Sequence, residues 1–232
     1  MVLSSIAFIP DGNRRFAQKK GISLLESYLQ GTQKAWDVMH WLSNFPQIKT
    51  GTFYTLSLEN LTRNQIELSL LLKIFDKELD KAAKSDLFEK QGIALRFIGQ
   101  IELLPQKLQD KMKVLSEQTS VHDAKTINLA IGYSGQTEIV FAAKKIAEQY
   151  KQGLLSLSDL TAQSFRKFLY NDFHFPDLII RTSGTQRLSG FLTYQSAYSE
   201  LYFLDKYWSE IEQTDLHTAV SEFESRERKF GK

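Results

Sequence analysis

Six short strand-like runs, near 5–9, 51–57, 93–98, 126–131, 177–181 and 201–203, alternate with helix-like stretches near 24–44, 65–89, 101–118, 135–151, 158–169 and 214–229. Strands separated by helices argue for a parallel sheet covered on both faces. The sequence therefore predicts a single α/β domain over 1–232, with a central, mainly parallel sheet of about six strands flanked by helices. No repeat, low-complexity tract or linker interrupts the pattern, and Lys151-Gln152-Gly153 reads as a helix terminator. A chain of 232 residues fits one such domain, since single domains of this class reach ~250 residues.

Two strand ends carry the chemistry. The apolar run Ile6 to Ile9 stops at Pro10 and opens into Asp11-Gly12-Asn13-Arg14-Arg15, followed by the helix-compatible Phe16-Ala17-Gln18-Lys19-Lys20. In parallel α/β sheets ligands sit at the carboxyl ends of strands, beside helix N-termini whose free N–H groups suit phosphate. Glycine lets backbone approach an anion, arginine supplies forked donors, and a lone acid can hold Mg²⁺ or cap the following helix. The plainer alternative is a surface turn with two solvated arginines. The second end follows Phe175-Pro176-Asp177-Leu178-Ile179-Ile180. It runs through Arg181-Thr182-Ser183-Gly184-Thr185-Gln186-Arg187-Leu188-Ser189 towards Tyr198-Ser199-Glu200. Two such ends suggest two phosphorylated substrates, or one with widely spaced phosphates.

Composition removes other functions. With 29 basic against 27 acidic residues, net charge makes no case for nucleic acid or an anionic membrane. Absence of cysteine excludes disulfides, thiolate metal sites and a cysteine nucleophile, and His40, His122, His174 and His217 lack metal-ligand spacing. No apolar run approaches the ~20 residues of a membrane span, and no signal-peptide core precedes the first strand. The expectation is a cytoplasmic protein, with peripheral membrane contact if its product is a lipid. The stretch 65–89 places Ile66, Leu68, Leu70, Leu71, Leu72, Ile74, Phe75 and Leu79 around more than half of a helix. Such a helix is packed on two sides, or one of its faces lines an apolar tunnel; both can hold.

Asp11 to Arg15, then Ser57-Leu58-Glu59-Asn60-Leu61-Thr62-Arg63, then Asp177 to Ser189 with Gln195 to Phe203, resemble successive motifs of the cis-prenyltransferases. Further similarity lies in Arg96-Phe97-Ile98-Gly99, in Asn128 to Gly135 and in the tail Arg226-Glu227-Arg228-Lys229-Phe230-Gly231. The resemblance is collinear from about residue 5 to the C-terminus, and six motifs in one order are far more specific than any one alone.

The resemblance implies an Mg²⁺-dependent transferase that joins an allylic prenyl diphosphate to a five-carbon diphosphate and works as a homodimer. It implies catalytic roles for Asp11, Asn13, Ser57 and Asn60. Gly12, Asn13, Arg14, Arg15 and Arg63 would hold the allylic diphosphate, and Arg181, Arg187 and Ser189 the five-carbon one. Asp11 and Glu200 would be metal ligands, and Leu68, Leu71, Leu72 and Phe75 would line the prenyl tunnel. Departures matter too. Long-chain relatives carry an arginine and a histidine where Leu24 and Tyr28 stand, a tryptophan at Leu61 and a proline at Asn64. Gly21-Ile22-Ser23-Leu24 with Tyr28 looks closer to lavandulyl-type members, which couple five-carbon units irregularly. The leading expectation is few condensations, with isopentenyl or dimethylallyl diphosphate as the five-carbon unit. Its alternatives are a long-chain undecaprenyl-type synthase and a non-catalytic partner subunit.

Overall fold

The structure, a computed structural model, describes residues 2–172 and 174–226. In chain order its elements are β1 (Ser5–Ile9), α1 (Asn13–Lys20), α2 (Leu24–Trp41), β2 (Thr50–Ser57), α3 (Leu58–Leu61), α4 (Gln65–Ala83), α5 (Leu87–Lys90), β3 (Ile93–Ile98), α6 (Gln106–Thr119), β4 (Lys125–Tyr133), α7 (Gly135–Lys151), α8 (Ala162–Phe165), β5 (Leu178–Arg181), β6 (Glu200–Phe203) and α9 (Gln213–Ser225). The strands form one sheet in the order β3-β4-β2-β1-β5-β6. Every pairing is parallel, so the sheet is wholly rather than mainly parallel.

This topology decides where a ligand can sit. β1 lies between β2 and β5, with Ile6 opposite both Gly51 and Leu178. The chain builds outward on the β2 side and then crosses back to the β5 side. The crevice at the carboxyl end of β1 is therefore the switch point of the sheet. All five residues of β1 are buried, as expected for a central parallel strand covered on both faces. Phe8 stacks on Phe53 with ring centroids 4.9 Å apart, and both rings meet Trp208. Trp208 Nε1 donates to the carbonyl of Gly31 at 2.8 Å, which ties α2 to the segment after β6.

Several helix boundaries differ from expectation. The stretch 65–89 breaks after Ala83, and α5 starts separately. Ser85 Oγ accepts from Leu87 N at 3.2 Å, a local bond of the kind that competes with helix continuation. The stretch 158–169 forms short turns around α8, where Thr161 and Ser164 cap one another reciprocally. α6 starts only after Pro105, because proline restricts the residue before it to extended backbone. The final helix ends at Ser225; positions 227–229 of the expected helix and Glu227 to Gly231 of the motif-like tail lie outside the described residues.

α4 uses both of its apolar faces. Leu71, Ile74, Phe75 and Leu79 turn towards an internal cavity. Leu68 and Leu72, one helical turn apart, line a separate shallow groove with Pro105 and Leu108 at the start of α6. The expectation that Leu68 and Leu72 share the tunnel with Leu71 and Phe75 is therefore corrected by helix phase. Among the described residues no helix is long and apolar enough to cross a membrane.

Candidate active site

The two expected strand ends meet. Asp11 leaves β1 beside Arg181, the last residue of β5, and Arg181 Nη2 donates to Asp11 Oδ2 at 2.8 Å. Arg15, on the first turn of α1, lies 3.3 Å from the same oxygen. The backbone is fixed as well: Thr182 Oγ1 accepts from Asp11 N at 2.9 Å, and Trp208 N donates to Asp11 O at 3.1 Å. Burial pushes the Asp11 carboxyl up, but the Arg181 and Arg15 guanidiniums and Ser183 outweigh it, so its pKa is held below the ordinary carboxylate value. Asp11 does not cap α1. The cap position is Gly12, at φ 107, and a Cβ there would fall 2.5 Å from the Tyr207 ring and 2.9 Å from Ser183 Cβ. Only glycine lets the loop pass so close to its neighbours.

Arg15 links the two loops. It donates to the carbonyl and hydroxyl of Ser183 and, at 3.2 Å, to Thr185 Oγ1. Arg181 Nη1 donates to Ser189 Oγ at 2.9 Å and to the carbonyl of Arg187. Arg187 and Ser189 are exposed. Asp11, Asn13, Arg14, Arg15, Asn60, Arg63 and Tyr28 line the mouth of a cavity of about 580 Å³, whose interior is walled by Ile74, Phe75, Leu79, Phe88, Leu95 and Leu115. A cationic mouth thus opens directly into a hydrocarbon-lined space.

Ser57 and Asn60 sit at the end of β2 as a reciprocal cap on α3. Ser57 Oγ accepts from Asn60 N, and Asn60 Oδ1 accepts from Ser57 N, both at 3.2 Å. These bonds use acceptor oxygens, which leaves the Asn60 amide N–H₂ and the Ser57 hydroxyl hydrogen as donors. Arg63 is already engaged: its Nη1 lies 2.6 Å from Glu67 Oε1 and 3.0 Å from the Tyr28 hydroxyl. Glu67 is a buried acid that the sequence reading missed; its partner Arg63 stands four residues earlier, in the turn just before the α4 cap Asn64. Leu24, by contrast, does not line the cavity.

Glu200 stands elsewhere. It opens β6 opposite Leu178, whereas Arg181 lies opposite Phe203. Three residues of strand rise place Glu200 roughly 10 Å back from the ligand edge of the sheet, and its carboxylate accepts from Arg226 at 2.9 Å. Within one chain Glu200 cannot share a metal ion with Asp11, which corrects that expectation. Adjacency in sequence to the second strand end had suggested it; parallel register turns it away.

A family model described as "Putative undecaprenyl diphosphate synthase" matches residues 9–231. The chain belongs to this family of cis-prenyltransferases. It is an enzyme of the prenyl-transferring class, as its curated relatives are named. The tritrans,polycis-undecaprenyl-diphosphate synthase (geranylgeranyl-diphosphate specific) of Methanopyrus kandleri is 39% identical over 228 residues, covering 98% of this chain and 84% of that one. The isoprenyl transferase of Fusobacterium nucleatum is 37% identical over 226 residues, covering 97% and 94%. Among solved structures, lavandulyl diphosphate synthase from Lavandula x intermedia, in complex with dimethylallyl diphosphate, superposes with a TM-score of 0.95 at 31% identity, covering 100% of this chain and 99% of the other.

Proposed function

We propose that this enzyme joins an allylic prenyl diphosphate to a five-carbon diphosphate, with few condensations per donor. The observation that carries the reading is the continuity of the mouth formed by Asp11, Arg14, Arg15 and Arg63 with an apolar cavity of about 580 Å³. Only an amphipathic substrate with an anionic head and a hydrocarbon tail uses both. In the reaction the bond between the allylic carbon and its diphosphate oxygen breaks, and diphosphate leaves with the electron pair. The double bond of the five-carbon unit attacks the same carbon, and a proton is then lost. Gly12, Asn13 and Arg15 cradle the leaving diphosphate, Arg63 completes its binding, and Arg181, Arg187 and Ser189 hold the diphosphate of the five-carbon unit. The Asn60 amide N–H₂ and the Ser57 hydroxyl, which the reciprocal cap does not use as donors, donate to substrate oxygens beside the reacting carbons.

The residues present fit Mg²⁺. Among the described residues no group of three or more His, Cys, Asp or Glu side chains is placed to hold a metal. A single carboxylate, Asp11, completed by substrate phosphate oxygens and water, is the coordination that Mg²⁺ commonly accepts. When bound, the ion would neutralise charge on the departing diphosphate. The exposed ring of Tyr198 and the half-exposed Leu201 beside the β6 edge support a homodimer closed along that edge, which sedimentation tests directly.

Purified protein with Mg²⁺, labelled isopentenyl and dimethylallyl diphosphates and donors of several lengths tests the reaction; no labelled product with any donor would overturn it. A long-chain synthase is the second reading. It is favoured by relatives in seven archaea, 37–39% identical, that are named for undecaprenyl diphosphate synthesis. Product length in the same assay separates the two.

A further inference from the structure

The side chain of Asn13 is set from behind by α2. Asn13 is the first residue of α1 and lines the cavity, and its Oδ1 is buried with no hydrogen-bond partner among the described residues. That oxygen faces Gly31. A Cβ on Gly31 would fall 2.8 Å from Asn13 Oδ1, 3.3 Å from Nδ2 and 3.4 Å from Cγ. Gly31 lies inside an 18-residue helix and has no positive φ, so its backbone does not call for glycine. Glycine is the less favourable choice in a helix interior. What it supplies here is the missing Cβ, a notch into which one end of the Asn13 amide fits.

Three hydrogen bonds keep the notch in register with the loop after β1. Ser27 is wholly buried one turn before Gly31 on the same face of α2, and its hydroxyl donates to the backbone carbonyl of Asn13 at 2.6 Å. Trp208 Nε1 donates to Gly31 O at 2.8 Å, while Trp208 N donates to Asp11 O at 3.1 Å. α2 is therefore fastened to residues 11–13 directly through Ser27 and indirectly through Trp208. A glycine inside a helix and a buried acceptor without a donor are both unfavourable, and the two fall on one contact at the cavity wall. A buried unsatisfied group of this kind calls for a reason. The amide supplies it: with Oδ1 in the notch, no described residue accepts from Nδ2, which is left for a ligand.

We propose that Gly31 is a positioning residue: its notch, held in register by Ser27 and Trp208, seats Asn13 Oδ1 so that Asn13 Nδ2 donates to the leaving diphosphate. The proposal rests on the assignment of Asn13 to that diphosphate.

Kinetics of Gly31→Ala, Asn13→Ala and the double variant test it, with labelled isopentenyl diphosphate and incubations long enough to count residual turnover. Alanine suits a helix interior better than glycine, so the added methyl displaces the amide and not the helix. Gly31→Ala should keep its melting temperature and lose about 10–100-fold in kcat, with KM for isopentenyl diphosphate within about twofold. In the double variant the two losses should not multiply. Once Asn13 is truncated the methyl has nothing to displace, and kcat should match that of Asn13→Ala within about twofold. Multiplying losses would make Gly31 a packing residue and overturn the proposal. If Asn13→Ala is impaired and Gly31→Ala is not, the positioning role alone falls. If Asn13→Ala turns over like the parent, the assignment of Asn13 falls with it. Should Gly31→Ala not fold, Ser27→Ala, which removes the tether without adding volume, should give a fall in kcat that is absent in the Asn13→Ala background; a parent-like kcat would overturn the proposal.

Discussion

Tyr28 donates its phenol to the buried Glu67 carboxylate at 2.6 Å, across the mouth of the cavity between α2 and α4. The same carboxylate oxygen takes Arg63, so this guanidinium reaches the site with its charge already compensated. Burial and the Glu67 carboxylate push the Tyr28 hydroxyl up to about 12, and it stays protonated as a donor throughout the neutral range. Burial raises the Glu67 pKa, but the Tyr28 bond and Arg63 outweigh it and leave the acid ionised.

Glu67→Gln should therefore free Arg63 for substrate. The expected outcome is tighter binding of an allylic diphosphate analogue by several-fold, with a stability loss of about 1–3 kcal/mol from the weakened buried contacts. Titration calorimetry paired with thermal melting checks both. Weaker analogue binding would mean that Glu67 aims Arg63 at the phosphate rather than competing for it.

Asp11→Ala should abolish turnover while the fold persists, because losing the carboxylate that would hold the metal raises the ionisation barrier by several kcal/mol. Chelation of divalent cations should silence the parent enzyme in the same way. The pH sign follows from the lowered pKa. The stability that Asp11 gains from Arg181 and Arg15 is present above its unfolded value, near ~4, and is lost as pH falls through the lower folded one. Titration of Asp11 should therefore impose no acid limb on activity between about pH 5 and pH 8. An EDTA-resistant enzyme would contradict the metal assignment.

Arg187→Ala should raise KM for the five-carbon substrate about 10–100-fold and leave the donor KM nearly unchanged, as expected for one lost charge-assisted contact. Comparable effects on both substrates would show that the two diphosphate sites are interchanged or shared.

Product length follows from the donor site. With Leu24 outside the cavity lining and Tyr28 engaged with Glu67, a lengthening chain is held weakly and rebinds poorly. Short products are expected, together with acceptance of dimethylallyl diphosphate as the five-carbon unit. The double change Leu24→Arg with Tyr28→His should shift products towards longer, regular chains. Chromatography after dephosphorylation decides; regular chains of ten or more units from the parent enzyme would end this account.

Strands were the most legible part of the sequence, because buried parallel strands read as unbroken apolar runs: Ile6 to Ile9 and Leu178 to Ile180 were found in place. The convergence of Asp11 with Arg181 followed from them, since both leave adjacent strands at the same edge. Side-chain direction was harder. Leu68 and Leu71 are both apolar and three residues apart, yet packing against α6 assigns Leu68 to another surface. Glu200 looked like a site acid until strand register set it at the far edge. Glu67 could be suspected only from Arg63 four residues earlier; that it is buried depends on Tyr28, 39 positions away. Helix ends at Ala83 and around α8 were set by Ser and Thr side chains that hydrogen-bond locally, a competition that apolar periodicity does not register.

The pairing of β1 with β5 has a consequence for how the protein is made. Asp11 and Arg181 are 170 positions apart, and the central strand has one neighbour early in the chain and the other late. During synthesis the first strand leaves the ribosome long before the second partner exists, so one side of it stays uncovered until most of the polypeptide has emerged. Contacts of such long sequence separation form slowly. Catalytic competence should then appear as a late, nearly all-or-none event, and the half-made chain is the species most in need of a chaperone.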